Sequence, residues 1–275
     1  VSSIVSAIVP ACPPLQTALL PQGALSYRAQ GEGAALLFLH GLLGSSKSWA
    51  FQYPHFAAQG RRVLGWDAPG FGQSSLVPAL LDSYVAALQA FIDQLELPTV
   101  ALVGHSMGGA VAACFAARQP KRVSRLVLSC THPGYAEPAT APPSAKLESR
   151  MRELREIGPQ SYGRARARDL LPATSAGAVV DYAAEIAAET NPEGLRRASR
   201  MLQLADNRPL LPTLAMPVLV LTGERDNVVQ PRLEAELLRL TPYRRHVLMP
   251  GVAHAPYLQA PQAFNQVIAE FLAEP

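Results

Sequence analysis

An α/β architecture, a mostly parallel sheet flanked by helices with an inserted helical cap, is predicted by three features of the 275-residue sequence. Short apolar runs alternate with helix-periodic stretches along most of the chain, the pattern of a parallel sheet covered on both faces. The alternation stops between His132 and Pro212, where proline and glycine divide a series of helical stretches. Near the middle lies Gly104-His105-Ser106-Met107-Gly108-Gly109, with the apolar run Thr99–Val103 before it and the alanine-rich run Ala110–Ala116 after it. That is a serine at a sharp strand-to-helix junction. The expected division is a core domain formed by residues 1–132 and 213–275 and a cap formed by residues 133–212.

Composition narrows the class. Hydrophobic content of 49% with 16% charged residues describes a globular chain with a sizeable core. A formal charge of +3, without a dense Lys/Arg stripe, argues against a nucleic-acid partner. Cys12, Cys114 and Cys130 have neither zinc-type nor redox-type spacing, so a disulfide framework and a structural metal are not expected. Residues 1–10 are apolar but lack the basic start of a secretory signal, and no run reaches the length of a membrane span. A cytoplasmic protein is the expectation; the competing reading is a trimmed leader, with Val9-Pro10-Ala11-Cys12 as a lipoprotein-like site.

Taken in order, Leu25–Arg28 is a candidate edge strand and Ala35–Leu39 a central one. The glycine-bearing loop His40-Gly41-Leu42-Leu43-Gly44 follows, then a helix through Trp49 and Phe56. Its glycines let a backbone amide approach a ligand, which makes Leu42 a candidate oxyanion donor, while His40 is expected to brace the loop. Arg62–Trp66 is the next strand, and it ends in Asp67-Ala68-Pro69-Gly70-Phe71-Gly72, a sharp turn in which Asp67 accepts backbone hydrogen bonds. A helix over Asp82–Glu96 carries Tyr84, Leu88, Phe91, Ile92 and Leu95 at core spacing, and Pro98 stops it before the strand that leads to Ser106.

The turn at Ser106 is tight enough to demand a strained backbone, and it exposes the hydroxyl and the free N–H groups of the following helix start. Val123–Leu128 is the next strand. Cap helices are expected over Ser144–Ile157, Gln160–Leu171, Ala176–Thr190 and Glu193–Leu204. Their arginines, among them Arg164, Arg166, Arg168, Arg196, Arg197 and Arg200, are nearly balanced by carboxylates and read mainly as solvated faces, with carboxylate binding as the alternative. Strands resume at Pro217–Leu221 and His246–Met249, the first followed by Thr222-Gly223-Glu224-Arg225-Asp226 and the second by Gly251-Val252-Ala253-His254. A last helix runs through Phe264, Val267, Ile268 and Phe271.

Ligand sites in parallel sheets lie beyond the carboxyl ends of the strands, where His40, Ser106, Asp226 and His254 all fall. A serine hydroxyl attacks only when a base takes its proton, and that base needs a carboxylate to orient it. Ser106, His254 and Asp226 fit those roles in that order.

With these motifs in view the sequence resembles the α/β-hydrolase superfamily from about Leu25 onward. The resemblance implies Ser106 as nucleophile, Asp226 as acid, His254 as base, the amides of Leu42 and Met107 as oxyanion hole, and no cofactor or metal. Serine at the elbow, where aspartate would stand in the dehalogenase and epoxide-hydrolase branches, places it in the serine branch. There it is similar to small bacterial carboxylesterases and the 3-oxoadipate enol-lactonase group. Gly251–Tyr257 with Phe264 also resembles the carrier-protein methyl esterases. The implied function is cofactor-free hydrolysis of a carboxylic ester or enol-lactone of a small organic acid through an acyl-enzyme, with Trp49 and Tyr257 as candidate substrate contacts. The alternatives are a meta-cleavage C–C hydrolase, from which His105 before the serine and Ala255 after the histidine depart, and a non-catalytic receptor on the same scaffold.

Overall fold

The computed structural model describes residues 9–242 and 244–274. The apolar start, residues 1–8, which bears on the leader question, lies outside them. Among the described residues no helix is long and apolar enough to cross a membrane.

Eight strands form one sheet: β1 (Leu15–Leu20), β2 (Gly23–Gln30), β3 (Ala34–Leu39), β4 (Arg61–Trp66), β5 (Val100–His105), β6 (Val123–Ser129), β7 (Val218–Gly223) and β8 (Arg244–Met249), in the spatial order β1-β2-β4-β3-β5-β6-β7-β8. The first two pair antiparallel, β2 pairs antiparallel with β4, and all later pairings are parallel. β5 and β7 are buried at every position, because neighbours flank them in the sheet and helices cover both faces.

The core helices are α1 (Gln52–Ala57), α2 (Leu81–Gln94), α3 (Met107–Arg118), α7 (Pro231–Leu240), α8 (Pro256–Gln259) and α9 (Pro261–Ala273). Two apolar clusters fill the space on either side of the sheet, one with Leu37, Leu102 and Phe115, the other with Phe38, Val103 and Phe264.

Leu25–Arg28 is not an edge strand. It belongs to β2, and β1 lies outside it with Leu15 opposite Arg28 and Leu20 opposite Gly23. The helix expected through Trp49 and Phe56 is a short 3-10 turn over Ser46–Trp49 followed by the separate α1.

The cap between β6 and β7 consists of α4 (Ala145–Leu170), α5 (Gly177–Ala188) and α6 (Pro192–Leu204). Gly158 interrupts α4 with φ 73° and Pro159 follows, so this segment is two helices joined at a kink. Ser144 caps its start by accepting from the Leu147 amide at 3.2 Å, and Asn191 caps α6 through the amides of Glu193 and Gly194. The cap sits on the core by backbone contact. A Cβ at Gly194 would lie 1.9 Å from the Gly70 carbonyl oxygen, so only glycine allows α6 to seat on the Pro69-Gly70 turn. At the other side the Ala255 amide donates to the Leu170 carbonyl at 3.2 Å, joining the end of α4 to the residue after His254.

Candidate active site

Ser106 ends β5 and opens α3 with φ 52° and ψ −115°, a conformation that strains any residue other than glycine. Its surroundings hold it there. The Ser106 amide donates to the Ser129 carbonyl at 2.9 Å, and the Thr131 hydroxyl donates to the Ser106 carbonyl at 2.6 Å. The helix behind it crosses β3 so closely that a Cβ at Gly108 would meet the Leu39 carbonyl oxygen at 2.2 Å.

His254, in the loop after β8, places Nε2 3.1 Å from Ser106 Oγ and Nδ1 2.8 Å from Asp226 Oδ2. Asp226, in the loop after β7, accepts the Val228 and Val229 amides on Oδ1 at 2.8 and 3.1 Å. Both side chains are shielded from solvent, 3% and 2% exposed. Burial pushes the Asp226 carboxyl up, but the hydrogen bond and charge of His254 and the two amides outweigh it and hold the group below the usual carboxylate range. An anion fixed beside Nδ1 keeps the imidazole proton on Nδ1 and leaves Nε2 free to accept from the serine.

The amides of Leu42 and Met107 have no acceptor among the described residues. Gly41 lies against the elbow, since a Cβ on it would stand 3.1 Å from Ser106 Cβ. His40 Nε2 accepts from the Ala68 amide at 2.9 Å, so its Nδ1–H donates to the Gly41 carbonyl at 2.7 Å and braces this loop. Asp67 is occupied elsewhere: Oδ2 accepts the Ser26 hydroxyl and Oδ1 the Ser46 amide, each at 2.6 Å.

Above Ser106 a cavity of about 280 Å³ opens between core and cap, lined among others by Leu42, His132, Tyr135, Lys146, Arg150 and Val229. The two residues expected to touch substrate are not among them. Trp49 is wholly buried with its ring 4.8 Å from both Phe38 and Tyr257, and Tyr257 packs edge-on against His105 at 4.9 Å. They form the core behind the elbow, because large aromatic rings at the sheet's end bury more area there than a small cavity offers. His132 is a lining residue that sequence patterning marks only as the point where the strands stop. Its Nδ1 accepts the Gly134 amide at 3.1 Å.

The ligating atoms of Cys130, Asp226 and His254 lie within 4.8 Å of one another, the one such cluster among the described residues. Imidazole and carboxylate already face each other at 2.8 Å, which leaves no room for an ion between them.

Three other histidines are buried near the site, and burial is the first cause of a lowered pKa at each: His40 below its ordinary value, His105 well below it, and His132 pushed down to about 4. Each takes up a proton in the unfolded chain near pH 6.5 but resists it in the fold. Acid therefore favours the unfolded chain, and the stabilisation present above about pH 6.5 is lost as pH falls, for His132 through about 4. Each group removes at most about 1.4 kcal/mol per pH unit. Denaturant titrations at about pH 7.5 and about pH 5 should show lower stability in acid, and equal midpoints would count against neutral burial of these rings.

A sheet of this topology with a hydrogen-bonded Ser-His-Asp set beneath a cap defines a hydrolase of esterase type. The family model for the alpha/beta hydrolase fold matches residues 34–261, and the chain belongs to that family. A pimeloyl-[acyl-carrier protein] methyl ester esterase of Edwardsiella ictaluri is 31% identical over 256 residues, which span 90% of this chain and 97% of that relative. Among solved structures, an esterase from Thermogutta terrifontis with malate bound superposes with a TM-score of 0.81 at 25% identity, over 94% of this chain and 98% of the other. The enol-lactonase from Burkholderia xenovorans gives a TM-score of 0.83 at 24% identity, covering 94% and 100%, and shares the fold.

Proposed function

We propose that the protein hydrolyses a carboxylic ester or enol-lactone of a small organic acid through a covalent acyl-Ser106 intermediate. The observation that carries this reading is the continuous hydrogen-bonded series from Ser106 Oγ through His254 to Asp226 at the floor of the cavity. Ser106 Oγ attacks the substrate carbonyl carbon while His254 Nε2 takes its proton, and the oxyanion so formed lies toward the Leu42 and Met107 amides. As the tetrahedral centre collapses, the carbon–oxygen bond to the leaving group breaks and His254 returns the proton to the departing alkoxide or enolate. Water, deprotonated by the same histidine, then attacks the acyl group, and the carboxylic acid leaves Ser106 with its hydroxyl restored. Buried Asp226 offsets the imidazolium charge in both halves.

The ester-cleaving relative and the malate in the Thermogutta enzyme support an ester of a small acid as the substrate class. Mixing the protein with p-nitrophenyl acetate, quenching in acid within milliseconds and weighing it should reveal one added acetyl group, mapped to the peptide that carries Ser106. An acetyl group on a different residue, or no ester turnover at all, would refute the reading.

A further inference from the structure

Lys146 and Arg150 stand four residues apart on α4 and line the cavity above Ser106 together. That spacing puts two like charges on one helix face, which is unfavourable unless something offsets them. Of the other cap arginines, Arg152, Arg155, Arg164 and Arg168 are exposed to solvent, which screens their charge, and three more are offset by carboxylates. Arg166 meets Glu153 at 3.1 Å and Asp169 at 2.8 Å, and Glu193 takes both Arg196 and Arg197. Arg150 and Lys146 have no hydrogen-bond or ion-pair partner among the described residues. Asp169, whose charge reaches both, is held by Arg166. Arg232 adds a third cation to the cavity wall, its Nε donating to Gln230 at 2.9 Å. Against these three stands one lining carboxylate, Glu137, which accepts from Gln203 Nε2 at 2.6 Å.

A half-buried guanidinium without a partner is costly, and in a cavity that opens onto a serine the partner that suits it is part of the ligand. We propose that Arg150 and Lys146 form a subsite for a free carboxylate at the far end of the substrate, so that the preferred substrates are half-esters or lactones bearing a second acid group. This rests on the hydrolase reading above. The guanidinium fork matches the two oxygens of a carboxylate, and the ammonium adds a movable point charge. The volume, about 280 Å³, lies near the small end of ligand cavities, so a short chain spans the distance from the ester to the acid.

The test compares kcat/KM for monomethyl adipate and for its neutral isostere with an isopropyl end, by proton release. Wild type should favour the half-ester by about 10- to 100-fold, the range expected for charge-assisted hydrogen bonds. Arg150→Met should bring that ratio near one and Lys146→Met should lower it. Because the ratio is taken within each variant, partial loss of folded protein cancels. A ratio near one in wild type, or one retained in Arg150→Met, overturns the subsite. Should wild type hydrolyse neither of these esters nor p-nitrophenyl acetate, the hydrolase reading fails, and calorimetry with adipate still decides the subsite. Binding to wild type and Ser106→Ala that disappears in Arg150→Met supports it; equal binding by Arg150→Met overturns it. Inorganic phosphate binding more tightly than adipate would overturn the carboxylate assignment.

Discussion

Ser106→Ala is expected to lower kcat for a short-chain chromogenic ester by about 10⁵- to 10⁶-fold, the scale seen when the nucleophile of a serine triad is removed. It should also abolish the single mass increment that a serine-directed phosphonate adds to wild type. Other hydroxyls border the cavity, including Ser144 and Ser199, but neither has a histidine within hydrogen-bond distance. The Cys130 thiol is no substitute, since burial, with the Asp226 charge next, pushes its pKa well above the ordinary value. Alanine keeps the small side chain that the strained φ at 106 demands, so the variant should fold. Labelling that survives in a folded Ser106→Ala protein, or a loss below about tenfold, would place the nucleophile at another residue.

Much of this site is legible in the sequence because its parts are local. The Gly-x-Ser-x-Gly turn, the loop after Leu39 and the ends of β7 and β8 each announce themselves by a few adjacent residues, and chain order assembles them. What stayed hidden depends on partners distant along the chain. β1 has a mixed pattern, with Leu19 76% exposed, because an edge strand has a pairing neighbour on one side alone and no strict face to bury. Trp49 and Tyr257 lie close in sequence to loops that carry the site, yet their rings point into the core, and only packing determines that. The cap arginines show the same limit. Arg166, Arg196 and Arg197 are as conspicuous in the sequence as any, and each is tied to a carboxylate; Arg150 lacks one, as the exposed Arg152, Arg155, Arg164 and Arg168 do, and what sets it apart is that it is half-buried in the wall of the cavity, a property of the fold. Cys130 adopts φ 46° just after β6, where sequence patterning sees only a strand end.

Asp226→Asn is expected to lower kcat by up to about 10⁴-fold while the protein stays folded, by analogy with the equivalent change in serine proteases. The structure supplies the reason. Oδ1 of Asp226 accepts two backbone amides, so an asparagine is held with its oxygen toward Val228 and Val229 and its NH₂ toward His254. The imidazole must then accept on Nδ1 and carry its proton on Nε2, where it can no longer take the proton of Ser106. Asp67→Asn should do something different. Its carboxylate anchors the Ser26 hydroxyl and the Ser46 amide, and Ser26 in turn receives the Gln73 amide at 2.9 Å, so the change disturbs a buried bracing network. The expected cost is about 1–3 kcal/mol of stability, read as a lowered denaturation midpoint, with kcat of the folded fraction within a few-fold of wild type. The two variants thus separate by readout, one losing turnover and the other stability. If Asp67→Asn lost turnover in a folded protein while Asp226→Asn kept near-wild-type kcat, the acid would have to be reassigned to the turn after β4.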